Sequence, residues 1–304
     1  MNRDVFGKPL EKKTISIHIF HDERRFEKDW LYHGLVIIPD DFINYVFDRL
    51  QICRSISNYY RELHFCEITS EQYSNKIKLA REWINFFLNE FYKLGYFYFF
   101  GVFLRNIRHD FFGVKEDRRS QIQYRIYNRF FDISLFSALR FYFKDYDKVI
   151  VSNIFSHASD RPEEDPFPQH SIYKITKRNI ENISIKTLKI IQINSDHNEE
   201  KRFPKESHFV QFADNILGVT AQVFDCSSKK ECFIELGNMM LPFIQKITEN
   251  PYNKNSDYYK KYIVSFFPKT SLSPRQIYLA HGKNMFFYKR ELKLQTRNQL
   301  KLQF

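Results

Sequence analysis

No GxGxxG fingerprint, no P-loop, no internal repeat and no His/Cys spacing of the metal-binding kind occurs in the 304 residues. Dinucleotide binding on a glycine-rich turn, P-loop phosphate handling and repeat architectures therefore have no support in the chain. Cysteine is scarce and uninformative. Cys53, Cys66, Cys226 and Cys232 show neither CxxC spacing nor a secretory context, so reduced, mostly buried thiols and a cytoplasmic location are expected. No apolar region follows the opening Met-Asn-Arg-Asp, so no signal peptide is expected. Long hydrophobic runs are missing too. The most apolar one, Trp83 to Leu104, is broken by Asn85, Asn89, Glu90, Lys93 and Gly95, and no membrane partner is expected.

What the chain does have is positive charge and aromatic bulk. It is long enough to bury one large core and carry an appendage. Its 47 Lys and Arg against 36 Asp and Glu leave a net +11, a field that favours polyanions, of which nucleic acid is the commonest; general basicity is the plainer alternative. With 33 Phe and 19 Tyr, aromatic rings must supply the core volume that Leu and Val usually provide, and they are not read as base-stacking platforms.

From Thr14 to Glu23 the chain alternates, with Ile15, Ile17 and Ile19 on one face and Ser16, His18 and Phe20 on the other. This is the period of a core strand, and it ends on Asp22 and Glu23. A rigid strand carrying carboxylates suits a metal or acid–base site, although HDERRFEKD can equally be the solvated loop of a hairpin. Trp30 to Pro39 reads as the second, antiparallel strand. Asp40 or Asp41 is expected to cap a helix with Ile43, Val46, Phe47 and Leu50 on one face. NYYRELHFCEITSEQ has no clean period and carries Glu62, His64 and Glu67.

A helix is predicted over Glu71 to Leu94, stopped by Gly95 as a C′ glycine. It is followed by a strand over Tyr96 to Leu104, a helix over Ser120 to Phe143 and a strand over Lys148 to Phe155. SHASDRPEEDPFPQH should be irregular, then a helix over Ser171 to Asn182 and a last strong strand over Lys186 to Ile193 complete the series. Helices between strands predict an α/β sheet whose first strands pair antiparallel and whose later ones are joined by helical crossovers.

Beyond Cys226 the pattern changes. A helix over Ile234 to Thr248 and strands in YIVSFFP and NMFFYKREL make a small C-terminal α+β extension, 226–304, after a domain spanning 1–225. Its end presents Lys289, Arg290, Lys293, Arg297 and Lys301, which can bind nucleic-acid phosphates without needing a fold or simply form a solvated tail. In SHFVQFADNILG, a helix puts Ser207, Gln211 and Asp214 on one face and Val210, Ala213 and Leu217 on another. A mid-helix carboxylate among apolar neighbours is costly unless paired, and a divalent metal shared with a strand would pair it. The alternative is a wet-side Asp bonded to Gln211 or water.

HDE at the end of the first strand, ELH before the long helix and S-x-x-x-Q-F-A-D in the last one together resemble the motifs of the DUF3800 family, over roughly Ile15 to Phe224. The resemblance implies an α/β, ribonuclease H-like mixed sheet flanked by helices. It implies a nuclease using Mg²⁺ or Mn²⁺ held by Asp22, Glu62 and Asp214, with Ser207, Gln211, His64 and His157 in support. By analogy it also implies a setting in genome (antiphage) defence or mobile-element biology, with a protein partner from the same operon. The pattern departs from the family at the fourth strand, where an acid is expected and VIVSNIFSHASD offers Asn153 and His157 before Asp160. Glu23 or Asp196 could supply the missing carboxylate. A non-catalytic nucleic-acid- or partner-binding subunit with a degenerate site is the alternative.

Overall fold

A computed structural model describes residues 13–26, 30–68, 74–104, 107–113, 118–158, 167–178, 180–225, 228, 230–249 and 261–267. The alternating segment forms β1 (Thr14–Phe26), which pairs antiparallel with β2 (Trp30–Pro39), and Asp22 stands opposite Gly34. Trp30–Pro39 is buried at every position because helices cover both faces of the sheet. The apolar run Tyr96–Phe103 is β3, antiparallel to β2 on its other side. Lys148–His157 is β4, parallel to β1. The helices between β3 and β4 and after β4 are α4 (Arg119–Phe143) and α5 (Phe167–Lys177).

Several elements depart from the sequence expectation for physical reasons. No side chain caps α1 (Ile43–Ser57), which grows from a 3-10 turn over Asp40–Phe42. Asp40 instead accepts from the Ser152 hydroxyl (3.0 Å) and pairs with His18 (3.3 Å). The helix expected over Glu71 to Leu94 is α2 (Asn75–Phe86), capped by Ser74, then a wider π turn over Phe87–Phe91 and a last turn, α3 (Tyr92–Leu94). Gly95 is extended (φ −154°), so its role is not a left-handed stop. A Cβ there would lie 2.5 Å from the Phe91 ring and 2.8 Å from the Ile37 carbonyl, and only glycine fits that approach. Helix α5 begins before Ser171 because Pro168 sits in its first turn, where the missing N–H costs nothing.

Of the strand expected over Lys186 to Ile193 only the end forms, as β6 (Ile191–Ile193), and a short β5 (Ile183–Ile185) precedes the expected range; both are parallel to β4. Between them a turn closed by Thr187 Oγ1 on the Lys189 carbonyl (2.6 Å) lifts the chain off the sheet and leaves Leu188 exposed. The last long helices are α6 (Pro204–Asp225) and α7 (Glu231–Glu249), and β7 (Tyr262–Phe267) runs parallel to β3. The sheet order is β5-β4-β1-β2-β3-β7, with β6 also on β4. Helix α7 packs on α6 and β7 joins the sheet, so the described part of 226–304 adds to the same core. NMFFYKREL and residues 289–301 lie outside the described residues.

Two cores result. Ile17, Ile19, Leu35 and Ile37 pack against α4 and α5 on one face. Phe20, Val36 and Ile38 pack against α1, α2, α6 and α7 on the other. No helix among the described residues is long and apolar enough to cross a membrane. Helix α6 lies close over β1, with the Phe20 and Phe209 rings 4.7 Å apart. Gly218 allows the loop residue Phe65 to tuck under that helix, since a Cβ there would lie 2.2 Å from the Phe65 ring. Gly218→Ala should therefore destabilise the protein by about 1–3 kcal/mol, read from the urea midpoint, because the buried ring has to move.

Candidate carboxylate–histidine site

The alternation of β1 decides which acids meet. Asp22 follows Phe20 onto the α6 face, whereas Glu23 follows Ile19 and His21 onto the α4 face and accepts from the Tyr127 hydroxyl (2.9 Å). Asp22 and Glu23 thus do not share a face of the sheet. On the Glu23 side, His21 Nδ1 lies 2.9 Å from Ser156 Oγ and His21 Nε2 lies 3.1 Å from His33 Nδ1.

A bulge in β4 supplies the next member. The pairing of β1 with β4 runs Ile17↔Val151 and then His18↔Asn153, so one extra residue shifts every later position of β4. His21 therefore faces Ser156, and His157, not Ser156, falls on the Asp22 side. His157 Nδ1 lies 3.9 Å from Asp22 Oδ1. This is the strand end where the family pattern led to an acid. Asp160 lies outside the described residues.

Helix α6 and the loop after α1 complete the cluster. Asp214 Oδ2 takes His64 Nδ1 at 2.7 Å and the Phe65 amide at 2.8 Å. The His64 and His157 rings meet edge to face, 5.8 Å apart. Ser195, just past β6, donates its hydroxyl to Glu62 and lies 3.2 Å from His157 Nε2. Gln211 is fully buried and ties the parts together: its Oε1 accepts from Leu63 N (2.9 Å) and Arg54 Nη2 (2.7 Å), and its Nε2 donates to the Ser195 carbonyl.

The structure thus brings Asp22, Glu62, Asp214, His64 and His157 into one network with Gln211 as its brace. Ser207 serves elsewhere, donating to the Asn194 carbonyl (2.6 Å). Asp196 turns back on its own loop, where its carboxylate accepts from Asn198 N (2.9 Å). Arg54 and Ser195 carried no signal in the sequence, since each meets its partners only through contacts far apart in the chain.

Burial, with the nearby Asp214 and Glu23 carboxylates, holds the Asp22 pKa well above the ordinary value. Asp214 is pushed up by burial but ends lower, because His64 and the Phe65 amide stabilise its anion. His64 is held up at about 11, first by its bond to Asp214, so at neutral pH it is a cation set beside the acids. The pair's stability contribution has a definite window. Asp214, depressed, supports folding above its unfolded value of 3.8 and loses that as pH falls through its folded one. His64, raised, contributes fully below 6.5 and loses that as pH rises toward about 11. His64→Gln should therefore cost most stability between mildly acid and neutral pH and progressively less in alkaline buffer, as thermal melts across pH would show.

The donor set can be weighed against a divalent cation. Asp22 Oδ2 and Asp214 Oδ1 take no hydrogen bond among the described residues, and hard carboxylate oxygens are what Mg²⁺ and Mn²⁺ prefer. Among the described residues no three His, Cys, Asp or Glu side chains stand together in a metal-holding group. Glu62 accepts from Ser195 through one oxygen, which leaves the other as its only candidate ligand atom. Compared with protein-family models and with curated proteins, the chain matches none.

Proposed function

We propose that the chain is a divalent-cation-dependent phosphodiesterase of ribonuclease H-like fold that acts on nucleic acid, in keeping with its resemblance to the DUF3800 family. The observation that carries this reading is the approach of two carboxylates from distant elements, the buried Asp22 on β1 and the part-buried Asp214 on α6, each with one oxygen uncommitted among the described residues. A central first strand with an antiparallel neighbour, β2, on one side and a parallel one, β4, on the other supports the fold part of the reading. The net +11 favours a polyanionic substrate.

Asp22 and Asp214 would hold Mg²⁺ or Mn²⁺, with the second oxygen of Glu62 as the candidate third ligand. A bound ion would supply an activated water and neutralise charge on the phosphate. His64, carrying its proton at neutral pH, fixes Asp214 and offsets the excess negative charge. His157, between Ser195 Oγ and Asp22, is placed to pass a proton between the hydroxyl and the carboxylate side.

The test is cleavage of single- and double-stranded DNA and RNA with Mg²⁺ or Mn²⁺. Asp214→Asn should abolish cleavage while nucleic-acid binding persists. A wild type that cuts none of these substrates with either ion sinks the enzyme reading. One observation favours what would then remain, a binding subunit: one oxygen each of Glu62 and Asp214 is already committed to protein partners.

A further inference from the structure

The segment between α1 and the His64 position has no helix or strand, yet its backbone is held at every step. The Tyr59 and Arg61 carbonyls accept from Arg54 Nη1 (3.3 and 2.8 Å), the Tyr60 carbonyl from His197 Nε2 (3.0 Å) and the Glu62 carbonyl from the Tyr59 hydroxyl (3.0 Å). The next amide, Leu63, donates to Gln211. Loop carbonyls ordinarily turn to water. Here four in a row are taken by side chains, and one of the donors, Arg54, is buried without a carboxylate partner among the described residues. His197 fits its part: burial lowers its pKa, so it is neutral, with Nδ1 accepting from Gln211 (3.1 Å) while Nε2–H donates to the loop.

That bracing fixes backbone, while the side chains it leaves outward are Tyr60, 54% exposed, and Arg61, exposed and without an ion pair among the described residues. Both immediately precede Glu62, and two residues of chain span at most about 7 Å, so Tyr60 stands within one nucleotide's reach of the acids. An exposed ring offers a flat π face, which a duplex cannot use because its bases are stacked inside, whereas an unpaired base can lie on it.

We infer that residues 59–62 form a rigid lip that reads single-stranded nucleic acid, with Tyr60 stacking on an unpaired base and Arg61 pairing with an adjacent phosphate; this rests on the reading of the neighbouring site as a nuclease centre. The same lip accounts for the placement of Arg54 and His197, whose bonds run to it rather than to the carboxylates, while Gln211 holds both of them and the next amide, Leu63.

The test is equilibrium binding of the full chain to labelled short single strands and duplexes in EDTA, where no cation-dependent cleavage intervenes. Wild type should prefer single strands. Tyr60→Ala should weaken single-strand binding roughly 5- to 100-fold, the range expected for one lost stacking contact, and Tyr60→Phe should restore it. Arg61→Gln should flatten the slope of log affinity against log salt by about 0.7, one phosphate contact. Single-strand affinity unchanged in a folded Tyr60→Ala protein overturns the lip, as does an equal loss for single strands and duplex. The two readings fail separately. A wild type that cuts, with Tyr60→Ala binding normally, removes the lip and keeps the site; one that binds single strands through Tyr60 but never cuts removes the nuclease and keeps the lip.

Discussion

Asp22→Asn should lose cation-dependent cleavage by about 100-fold or more, and yet melt at a higher temperature than wild type in metal-free buffer near neutral pH. The activity loss follows from the proposed cation site, in which Asp22 would be a direct oxygen ligand, since even partners one shell further out commonly cost about 10–100-fold. The stability gain follows from the pKa. Asp22 is 3% exposed, and burial together with the Asp214 and Glu23 carboxylates raises its folded pKa. A raised folded pKa means the group favours folding below its unfolded value of 3.8 and loses that contribution as pH rises through the folded one. At neutral pH the fold therefore carries a carboxyl group whose charge it resists. Asn keeps the shape and an oxygen to accept from the Glu23 amide but brings no charge. In a chain of this size each kcal/mol recovered is worth about 2–4 °C. The gain should fade in acid, where Asp22 is protonated in both states, and Mn²⁺ should raise the wild-type melting temperature but not the variant's. A variant that melts below wild type in EDTA would show that Asp22 is not held against its surroundings. One that keeps the Mn²⁺ shift would show that the ion binds elsewhere.

The parts of this site legible in the sequence are those that follow from local periodicity. Alternation over Ile15, Ile17 and Ile19 located β1, although the strand does not end on Asp22 and Glu23 but runs on to Phe26, and helical spacing put Gln211 and Asp214 on one face of α6. The helix-on-strand contact that joins them came only through the family resemblance. Three features were out of reach for a common reason. The bulge that swings His157 to the Asp22 side sits at Ser152–Asn153, where two adjacent polar residues interrupt the alternation without saying which face the later positions take. The interruption between β5 and β6 depends on a three-residue turn at Thr187 in an otherwise strand-like run. Ser195 meets Glu62, and Arg54 meets Gln211, across more than a hundred residues of chain, so nothing near either residue announces the partner. Glu23 shows the converse. Its neighbour in sequence is Asp22, but strand geometry sends it to the opposite face, where it accepts from Tyr127.

Gln211→Leu should give the largest loss of stability of any single change at the site, roughly 3–5 kcal/mol, because it orphans several buried groups at once. Leu63 N and Arg54 Nη2 would lose their acceptor, and the Ser195 carbonyl its donor, in a region where Gln211 itself is fully buried. Each unsatisfied buried group costs about 1–3 kcal/mol, and the sum is less than additive because the three share one side chain. Arg54 makes the loss worse than the count suggests. Its pKa is already pulled down to about 10 by burial, its remaining hydrogen-bond partners are His208 and two loop carbonyls, and the Asp196 carboxylate offsets its charge only without direct contact. His208 cannot compensate by charging, since burial and Arg54 hold its pKa down at about 2. Gln211→Glu separates the contributions. A carboxylate can still accept from Leu63 and Arg54 but cannot donate to the Ser195 carbonyl, so it should retain more stability than Leu while freeing the Ser195 loop. In urea titrations the order should run wild type, Glu, Leu, and nucleic-acid binding should weaken most in Leu, where Leu63 and Arg54 lose their acceptor beside the 59–62 lip. A Leu variant within 1 kcal/mol of wild type would mean that water satisfies these groups and that Gln211 braces nothing.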